Sequence, residues 1–408
     1  MVIRRPALRA IAAAVLLLLT ACSRGPADHE PKPSAHPVFS KPLGTQPYAA
    51  LQQTQNAGSA GFTQKVTFTS KQGDAVQTTV GSLNFAGKRG AGKRDWTLPK
   101  TLPARVKDAL LGRATEEGRR DSSAVIAVDP QTVHYRSASA KYWLRYAVNC
   151  DHVEGLDSIA KLRGTEAALS GTLLETVTTA KATAQRSTPG GGRSYRTEFG
   201  LDAAWGLLFP ADLREELAPV WKVDPTRAPA VMTLTVDSKG RITRAEADLS
   251  ALLRKDKEKE SALATVTSIR AELALAAHGS AKPAMPTSSD MVLDAGKAVM
   301  ADEDTKLGDC IDFNTGARTN ALVVWVTCSG PHDARVFAQT PLGDGSYPGR
   351  AAAEHRALDA CEEAFDRAPT RWTDEAVPRN HYWSSWPLEA EWKASAEPVA
   401  TCYVASRA

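Results

Sequence analysis

The middle of the chain alternates apolar and polar residues with a period of two, which is the pattern of half-buried β-strands. In FTQKVTFTS (62–70), Phe62, Val66 and Phe68 lie on one face of such a strand, and Lys65 lies on the other with the threonines. A sheet face this apolar has to be covered by other parts of the protein. The pattern therefore predicts a sheet that buries one face in a core.

Two longer segments predict β-hairpins, because each contains two strand-like runs separated by turn-forming residues. Residues 124–136 (AVIAVDPQTVHYR) turn at Asp129, and residues 231–249 (VMTLTVDSKGRITRAEADL) turn at Asp237. Shorter strand patterns occupy residues 81–87 and 141–146.

Other segments of the middle region favour helices or loops. Residues 165–185 are rich in Ala and Leu and predict a helix, and residues 202–222 predict a second one that is broken at Pro210. Residues 265–277 fit either a strand pair or a helix. The basic run KRGAGKR (88–94) predicts a solvated loop.

Three stretches of this region carry a family resemblance: AALQQTQNAGSAGFTQKVTFTS (49–70), AVIAVDPQTVHYRSASAKYWLRY (124–146) and MTLTVDSKGRITRAEADL (232–249). They resemble LolA-like actinobacterial lipoproteins. The resemblance covers 48–286 and implies an antiparallel half-barrel with helices across its concave face. In several relatives the cavity holds acylated lipids. For this chain, an ordinary closed core and a cavity for a lipid or another apolar ligand both remain open.

The start of the chain predicts export and a lipid anchor. Three arginines precede the apolar run 10–19, which is shorter than the roughly 20 residues of a transmembrane helix and fits a secretion signal over 1–21. The run ends in LTAC, which looks like a bacterial lipobox and implies diacylglycerol attachment to Cys22. The alternative is an ordinary signal with an incidental cysteine. Six prolines in the following residues predict an extended tether over 22–47.

Export changes the meaning of the charge. The formal net charge is +4, and removal of residues 1–21 takes away three arginines and no acid, which leaves +1. A nearly neutral extracytoplasmic protein is not expected to bind nucleic acid. Cys150 could act as a nucleophile with His134 or His152, but a small buried side chain is the favoured interpretation.

The C-terminal region contains four further cysteines, which in an exported protein predict two disulfides. Four cysteines allow three pairings, and the sequence does not decide among them. Two neighbouring strand patterns favour Cys310–Cys328. A helix over 351–368 that packs on a last strand favours Cys361–Cys402.

The stretch CSGPHD (328–333) contains residue types that could act in a thiol enzyme. A Cys328 held in a disulfide is no nucleophile, and the chain lacks the spacings of zinc sites and serine hydrolases. His332 and Asp333 therefore most simply shape a corner between two strands. A binding contact and a cryptic hydrolase are the alternatives. No metal and no cofactor are expected.

GDCIDF (308–313), VVWVTCSGPHDARVFAQTPL (323–342) and SYPG (346–349) carry a second resemblance, to the septum formation domain of actinobacterial envelope proteins. It covers 305–408 and implies a non-enzymatic extracytoplasmic module linked by name to cell division. Ile311 replaces the usual Phe of that pattern, and Arg335 replaces a usual acid.

Four of the nine tryptophans lie close together near the C-terminus. Exposed aromatic side chains bind sugars or protein partners, whereas buried ones form the core of a small domain. Both alternatives stay open for this cluster, which comprises Trp372, Trp383, Trp386 and Trp392.

The predicted fold class is α+β. It combines an antiparallel half-barrel with covering helices over 48–286, a linker over 287–304 and a small disulfide-linked α+β domain over 305–408. The predicted protein is a non-enzymatic lipoprotein on the extracytoplasmic face of the cell membrane. It binds a ligand or a cell-wall or division protein, and a link to septum formation is part of this prediction. The alternatives are a carrier or sensor of a lipid or apolar ligand through the middle domain, and a hydrolase that uses His332 and Asp333.

Overall fold

The structure is a computed structural model with a mixed α+β fold that is rich in strands. His36–Ala408 form one compact unit. No helix in the described part of the chain is long and apolar enough to cross a membrane. Cys22, Cys150, His152 and most of 202–222 lie outside that part. The structure describes residues 36–405 except 112–121, 148–158, 160–161, 201–204, 207, 210–228, 251–252, 254–262, 317–321, 344, 375, 377–381, 388 and 396.

The larger of two sheets contains twelve strands. They are β1 (Ser59–Ser70), β2 (Gly73–Asn84), β3 (Arg89–Thr97), β4 (Ser123–Val128), β5 (Thr132–Ser137), β6 (Trp143–Ala147), β7 (Lys181–Ser187), β8 (Arg193–Phe199), β9 (Ala230–Val236), β10 (Ile242–Asp248), β11 (Val266–Ala276) and β12 (Val292–Asp294). Their order is β12-β6-β5-β4-β3-β2-β1-β11-β10-β9-β8-β7. This large curved sheet is antiparallel except where β12 runs parallel to β6.

The smaller sheet has six strands, all paired antiparallel. They are β13 (Val299–Ala301), β14 (Cys310–Asp312), β15 (Leu322–Val326), β16 (Ala334–Pro341), β17 (Tyr382–Ser385) and β18 (Val399–Ala405). The order is β13-β15-β14-β16-β18-β17.

The described helices are short, with one exception of 16 residues in the C-terminal region. They are α1 (Gln46–Asn56), α2 (Ala104–Leu111), α3 (Leu173–Val177), α4 (Ala295–Ala298), α5 (Arg350–Phe365), α6 (Thr370–Thr373) and α7 (Glu389–Ala394). Single 3-10 turns lie at Pro37–Ser40, Leu43–Thr45, Pro189–Gly191 and Asp302–Asp304.

The alternation in β1 produces the predicted buried face. Phe62, Val66 and Phe68 are buried, whereas Lys65 is exposed. Within the segment 265–277, residues 266–276 form the single strand β11, whose buried and exposed residues alternate from Ile269 to Ala276, so both the strand pair and the helix predicted for it are wrong. Because β11 pairs with β1 from Val266 to Ala276 and with β10 from Arg270 to Ala274, its backbone hydrogen bonds go to neighbouring strands.

Both predicted hairpins are confirmed, as β4–β5 and β9–β10. Asp129 accepts hydrogen bonds from the backbone N–H groups of Gln131 and Thr132, each at 2.8 Å. Burial alone would raise the pKa of Asp129, but these hydrogen bonds outweigh burial and lower that pKa. Asp237 closes the second turn in the same way, next to Gly240 with its positive φ of 75°.

The prediction of a helix over 165–185 is wrong for most of that segment. Only α3 is helical, and β7 follows it. The buried carboxylate of Glu175 accepts hydrogen bonds from the N–H groups of Glu166 and Ala167, at 3.0 and 2.8 Å. A side chain therefore takes the donors that a helix would have used. Gly171 has a φ of 82° and also interrupts a helix there.

Two further expectations need correction. The extended tether predicted over 22–47 does not hold for residues 36–47, which form two 3-10 turns and the start of α1, with Val38 and Phe39 buried. Proline fits the first turn of a helix, so Pro37 and Pro47 do not prevent this. The basic run 88–94 is not a loop, because it begins β3 and pairs with both β2 and β4.

The predicted linker 287–304 joins both sheets directly. It contains β12, which pairs with β6, and β13, which pairs with β15. Residues of the small sheet such as Cys310 and Val324 share one buried apolar cluster with large-sheet residues such as Leu144. The domain boundaries at 286 and 305 stay predictions, but the apolar core runs across them.

Candidate functional site

A cleft of about 550 Å³ lies where the edge of the large sheet meets the small sheet. Three segments that are far apart in sequence form its walls. Residues 139–142 come from the turn between β5 and β6, residues 291–298 from β12 and α4, and residues 325–333 from the end of β15 and the corner that follows. The volume lies within the range of about 300–1,000 Å³ that is typical of small-ligand sites.

The wall formed by 291–298 is held by the strand pairing of β12. The N–H of Trp143 donates a hydrogen bond to the carbonyl of Met291 at 2.8 Å. Asp294 accepts a hydrogen bond from the N–H of Gly296 at 3.1 Å and thereby caps α4. The same carboxylate forms an ion pair with Arg145 of β6 at 3.1 Å.

The wall formed by 325–333 contains the predicted corner with His332 and Asp333. Cys328 forms a disulfide with Cys310 of β14, which ties the corner to the small sheet. Asp333 accepts a hydrogen bond from the backbone N–H of Phe313 at 3.0 Å. His332 Nδ1 lies 2.8 Å from the carbonyl oxygen of Gly330, to which it donates in the matching tautomer. Both side chains therefore make backbone hydrogen bonds that shape the corner, as its structural interpretation expects.

Two tyrosine hydroxyls of the β6 region fasten the large sheet to the small one. Tyr142 donates a hydrogen bond to Asp312 Oδ2 at 2.8 Å, and Tyr146 donates one to the carbonyl of Thr315. Burial raises the pKa of Tyr142, and the neighbouring charge of Asp312 raises it further. The Tyr142 hydroxyl therefore stays protonated and acts as a donor at physiological pH.

Apolar side chains dominate the cleft. The side chains of Ala140, Val292 and Leu293 line it, and Met291 and Trp325 are unusual for their exposure, at 61% and 43%. The described part of the chain has five large exposed hydrophobic side chains, and two of them lie in this one cleft. Exposed apolar side chains that line one concave site are typical of surfaces that bind a ligand or partner.

No pattern in the sequence singles out Met291 or Trp325. The apolar run before Cys328 predicts a strand, and in β15 its residues Leu322, Val323, Val324 and Val326 are all buried. Both faces of β15 are apolar, so alternation alone does not reveal that Trp325 is exposed. Met291 lies in the segment 287–304, for which the sequence predicts a linker. Its position depends on the pairing of β12 with β6, across almost 150 residues of sequence.

The predicted disulfide cysteines form the pairs that the strand and helix patterns favoured. Cys310–Cys328 connects β14 to the corner, and Cys361–Cys402 connects α5 to β18. A cysteine in a disulfide has no free thiol, so the cysteine of the CSGPHD stretch cannot act as a thiolate nucleophile in this state. The hydrolase alternative that uses His332 and Asp333 stays a prediction.

The tryptophan cluster packs mainly inside the small domain. Trp372, Trp383 and Trp392 are buried, and Trp386 is half-buried. Trp383 lies against Tyr403 with ring centroids 5.8 Å apart. The three buried tryptophans therefore form part of the core of the small domain and are not available as a binding surface.

No group of three or more His, Cys, Asp or Glu side chains that could hold a metal ion occurs among the residues that the structure describes. On the inner face of the large sheet, a small void of about 10 Å³ adjoins Gln64 and Thr172. That volume is close to the space that one water molecule needs. A larger ligand cavity in this sheet, which is one of the two alternatives left open by the LolA-like resemblance, stays a prediction.

No protein-family model matches this chain, and neither does any curated protein. The resemblance of 305–408 to the septum formation domain therefore stays a prediction.

Several solved structures are similar to this chain. The lipoprotein LppX of Mycobacterium tuberculosis shows 12% identity and a TM-score of 0.28, covering 60% of this chain and 98% of that one. A putative outer membrane lipoprotein-sorting protein domain of Vibrio parahaemolyticus shows 11% identity and a TM-score of 0.20, covering 56% and 91%. The MucA/MucB complex of Pseudomonas aeruginosa shows 8% identity and a TM-score of 0.22, covering 88% and 92%. At these TM-scores the likenesses carry no argument about fold or function.

Proposed function

We propose that this protein is a lipid-anchored extracytoplasmic binding protein, not an enzyme, and that the cleft between its two sheets binds an apolar ligand. The observation that carries the proposal is the pair of exposed side chains Met291 and Trp325 on the wall of a 550 Å³ cleft. Exposed apolar surface of this kind is costly in water and is relieved when a ligand covers it.

The way in which the walls of the cleft are held favours a ligand-binding site over a defect in packing. Its walls are held by a disulfide at Cys328, by the Tyr142–Asp312 hydrogen bond and by the pairing of β12 with β6. Fixed walls reduce the entropy that is lost when a ligand binds. A packing defect between two mobile pieces would lack such supports.

The proposed location follows from the sequence and from the cysteines. The apolar run before Cys22 fits a secretion signal with a lipid-attachment site. Two disulfides fit an oxidising compartment outside the cytoplasm. The half-barrel form of the large sheet and a role of 305–408 in septum formation belong to this proposal as expectations from the quoted motifs.

The proposal is tested by binding of Nile red, an uncharged apolar dye whose fluorescence rises in apolar surroundings. The protein would be the oxidised chain from residue 23 onward, which keeps the whole compact unit His36–Ala408. Met291→Trp fills the cleft and should weaken dye binding about tenfold or more, which corresponds to about 1.4 kcal/mol.

Leu307→Trp is the matched control. Leu307 is 62% exposed, almost the same as Met291, but it does not line the cleft. Its substitution should leave dye binding unchanged. Failure of the unaltered protein to bind, or equal binding by both variants and the unaltered protein, would refute the cleft as the ligand site.

A further inference from the structure

We propose that the ligand of the cleft is an anionic amphiphile, whose carboxylate or phosphate group is bound by Lys141 and Lys297 while its apolar chain lies against Met291 and Trp325. This inference rests on the proposed function and names the chemical class of the ligand. It follows from a difference between the charged groups of the cleft: the carboxylates already have hydrogen-bond or ion-pair partners within the protein, and the two lysines do not have one among the described residues.

The carboxylates of the cleft are all occupied by donors of the protein itself. Asp294 is paired with Arg145 at 3.1 Å. Asp312 accepts hydrogen bonds from the hydroxyl of Tyr142 and, at 2.8 Å, from the N–H of Asn314. Asp312 is buried and has a donor on each carboxylate oxygen, and the exposed Asp294 is held in its ion pair, so neither requires a cationic ligand.

Asp333 follows the same rule. This buried carboxylate accepts hydrogen bonds from the N–H of Phe313 at 3.0 Å and from the side-chain amide of Asn314 at 3.4 Å. Its charge is therefore spent on holding the loop after β14 against the corner.

The two lysines of the cleft are different. Lys141 and Lys297 both line it and both are exposed. Within the described residues, neither side chain makes an ion pair or a hydrogen bond. An ammonium group on a flexible stem can move to meet an anion at the rim. Lys141 and Lys297 are therefore the charged groups of the cleft that remain available to a ligand.

The arrangement also fixes the orientation of the ligand. Moving a charged group from water into an apolar cleft is strongly unfavourable, so the anionic group stays at the exposed rim with the lysines. The apolar part gains free energy by covering Met291 and Trp325. A molecule with both parts uses the whole cleft, whereas a purely apolar molecule leaves the lysines without a partner.

The test compares four probes that share a twelve-carbon chain: dodecanoate, dodecyl phosphate, dodecanol and dodecyltrimethylammonium. Each is titrated below its micelle-forming concentration into the oxidised chain from residue 23 onward, at low salt, with heat or dye displacement as the readout. The two anions should bind about tenfold more tightly than dodecanol, and added salt should reduce this preference.

Charge reversal locates the preference. In the double variant Lys141→Glu/Lys297→Glu, the affinity for the two anions should fall to that for dodecanol or below it, so that the preference for anions disappears. Lys239→Glu/Lys306→Glu is the control, because both lysines are exposed and neither lines the cleft. Tighter binding of dodecanoate would assign a fatty acid, and tighter binding of dodecyl phosphate would assign a phosphate head group.

The outcomes separate the two proposals. Equal affinity for dodecanol and the anions, preference for the cationic probe, or a preference that survives the double variant would each overturn the anionic ligand and leave the apolar cleft in place. No binding of any twelve-carbon probe would overturn the apolar cleft as well.

Discussion

The two sheets of this protein are stabilised by different means. The large sheet buries long apolar faces, such as Phe62, Val66 and Phe68 of β1, in one extended cluster. The small sheet has strands of only three to eight residues and adds two disulfides to two separate apolar clusters. A small domain buries less apolar surface per residue, so cross-links contribute a larger share of its stability.

The contrast explains where the cleft lies. Side chains of both sheets pack together at the junction, but its outer part stays open as the cleft. Each sheet holds one wall of this cleft by its own means. The large sheet supplies β12 and Tyr142, which are held by strand pairing and a hydrogen bond. The small sheet supplies the corner after Cys328, which is held by a disulfide. Changes to either sheet should therefore affect stability and ligand binding to different degrees.

The largest effect is expected from the core of the large sheet. Phe68 is 1% exposed and its ring lies 5.9 Å from that of Trp96. Phe68→Ala should lower the free energy of unfolding by about 3–5 kcal/mol, because it removes a buried ring and leaves a cavity. Urea denaturation measures this change. A loss below about 1 kcal/mol would show that this sheet does not depend on its apolar face.

Disulfide removal should come next, and its effects should differ between the two pairs. The Cys361–Cys402 bond closes a loop of 41 residues, and its removal by paired Ser substitutions should cost about 4 kcal/mol. The Cys310–Cys328 bond closes a loop of 18, and its removal should cost about 3 kcal/mol.

Ligand binding should follow the opposite order. Cys310–Cys328 holds a wall of the cleft, whereas Cys361–Cys402 lies in the small domain away from it. Loss of the first bond should weaken Nile red binding more, although its effect on stability is smaller. If both pairs of substitutions change binding equally, the corner after Cys328 does not define the cleft.

The junction between the sheets should show a moderate effect. Tyr142→Phe removes a hydroxyl that donates to the buried carboxylate of Asp312. Leaving that oxygen without its donor should cost about 1–3 kcal/mol in the free energy of unfolding. Tyr382→Phe is the control, because the Tyr382 hydroxyl makes no hydrogen bond within the described residues. Equal losses in the two variants would contradict a specific link between the sheets.

The smallest effect concerns pH, and it should be confined to the large sheet. Burial lowers the pKa of His134 on β5 and of His278 after β11. The unfolded chain, with a histidine pKa of about 6.5, then binds more protons than the folded chain as pH falls below that value. Stability contributed by the neutral histidines is therefore present above pH 6.5 and is lost as pH falls through that region.

Hydrogen exchange at pH 7 and pH 5, both above the range in which aspartates titrate, isolates this effect. The loss of protection should concentrate in β5, β10 and β11, and His134→Gln/His278→Gln should reduce it. A loss of protection centred on the small sheet, or one that the double variant does not reduce, would show that these histidines do not cause the pH dependence.

Local patterns predicted much of the fold. Alternation identified β1 and β9, because one face of each strand is buried and the other is not, and turn-forming residues identified both hairpins. The helix prediction for 165–185 failed because the Glu175 carboxylate accepts hydrogen bonds from backbone N–H groups that a helix would have used. Spacing in the sequence does not show such competition between a side chain and a helix.

The cleft could not be predicted for a different reason. Its walls come from 139–142, 291–298 and 325–333, which meet only because β12 pairs with β6 and the Cys310–Cys328 disulfide fixes the corner. His332 and Asp333 stood out in the sequence because of their residue types. Met291, Trp325 and the two lysines did not, since their importance depends on which segments lie beside them.

The central claim is that the apolar ligand lies in the cleft between the sheets. The most direct measurement is photo-cross-linking of a twelve-carbon amphiphile that carries a diazirine at its apolar end, followed by peptide mass spectrometry of the oxidised chain. Labels are expected within 291–298 and 325–333, at Met291 and Trp325 above all, and these labels should be lost in Met291→Trp. Labels on the inner face of the large sheet, with 291–298 and 325–333 unlabelled, would contradict it.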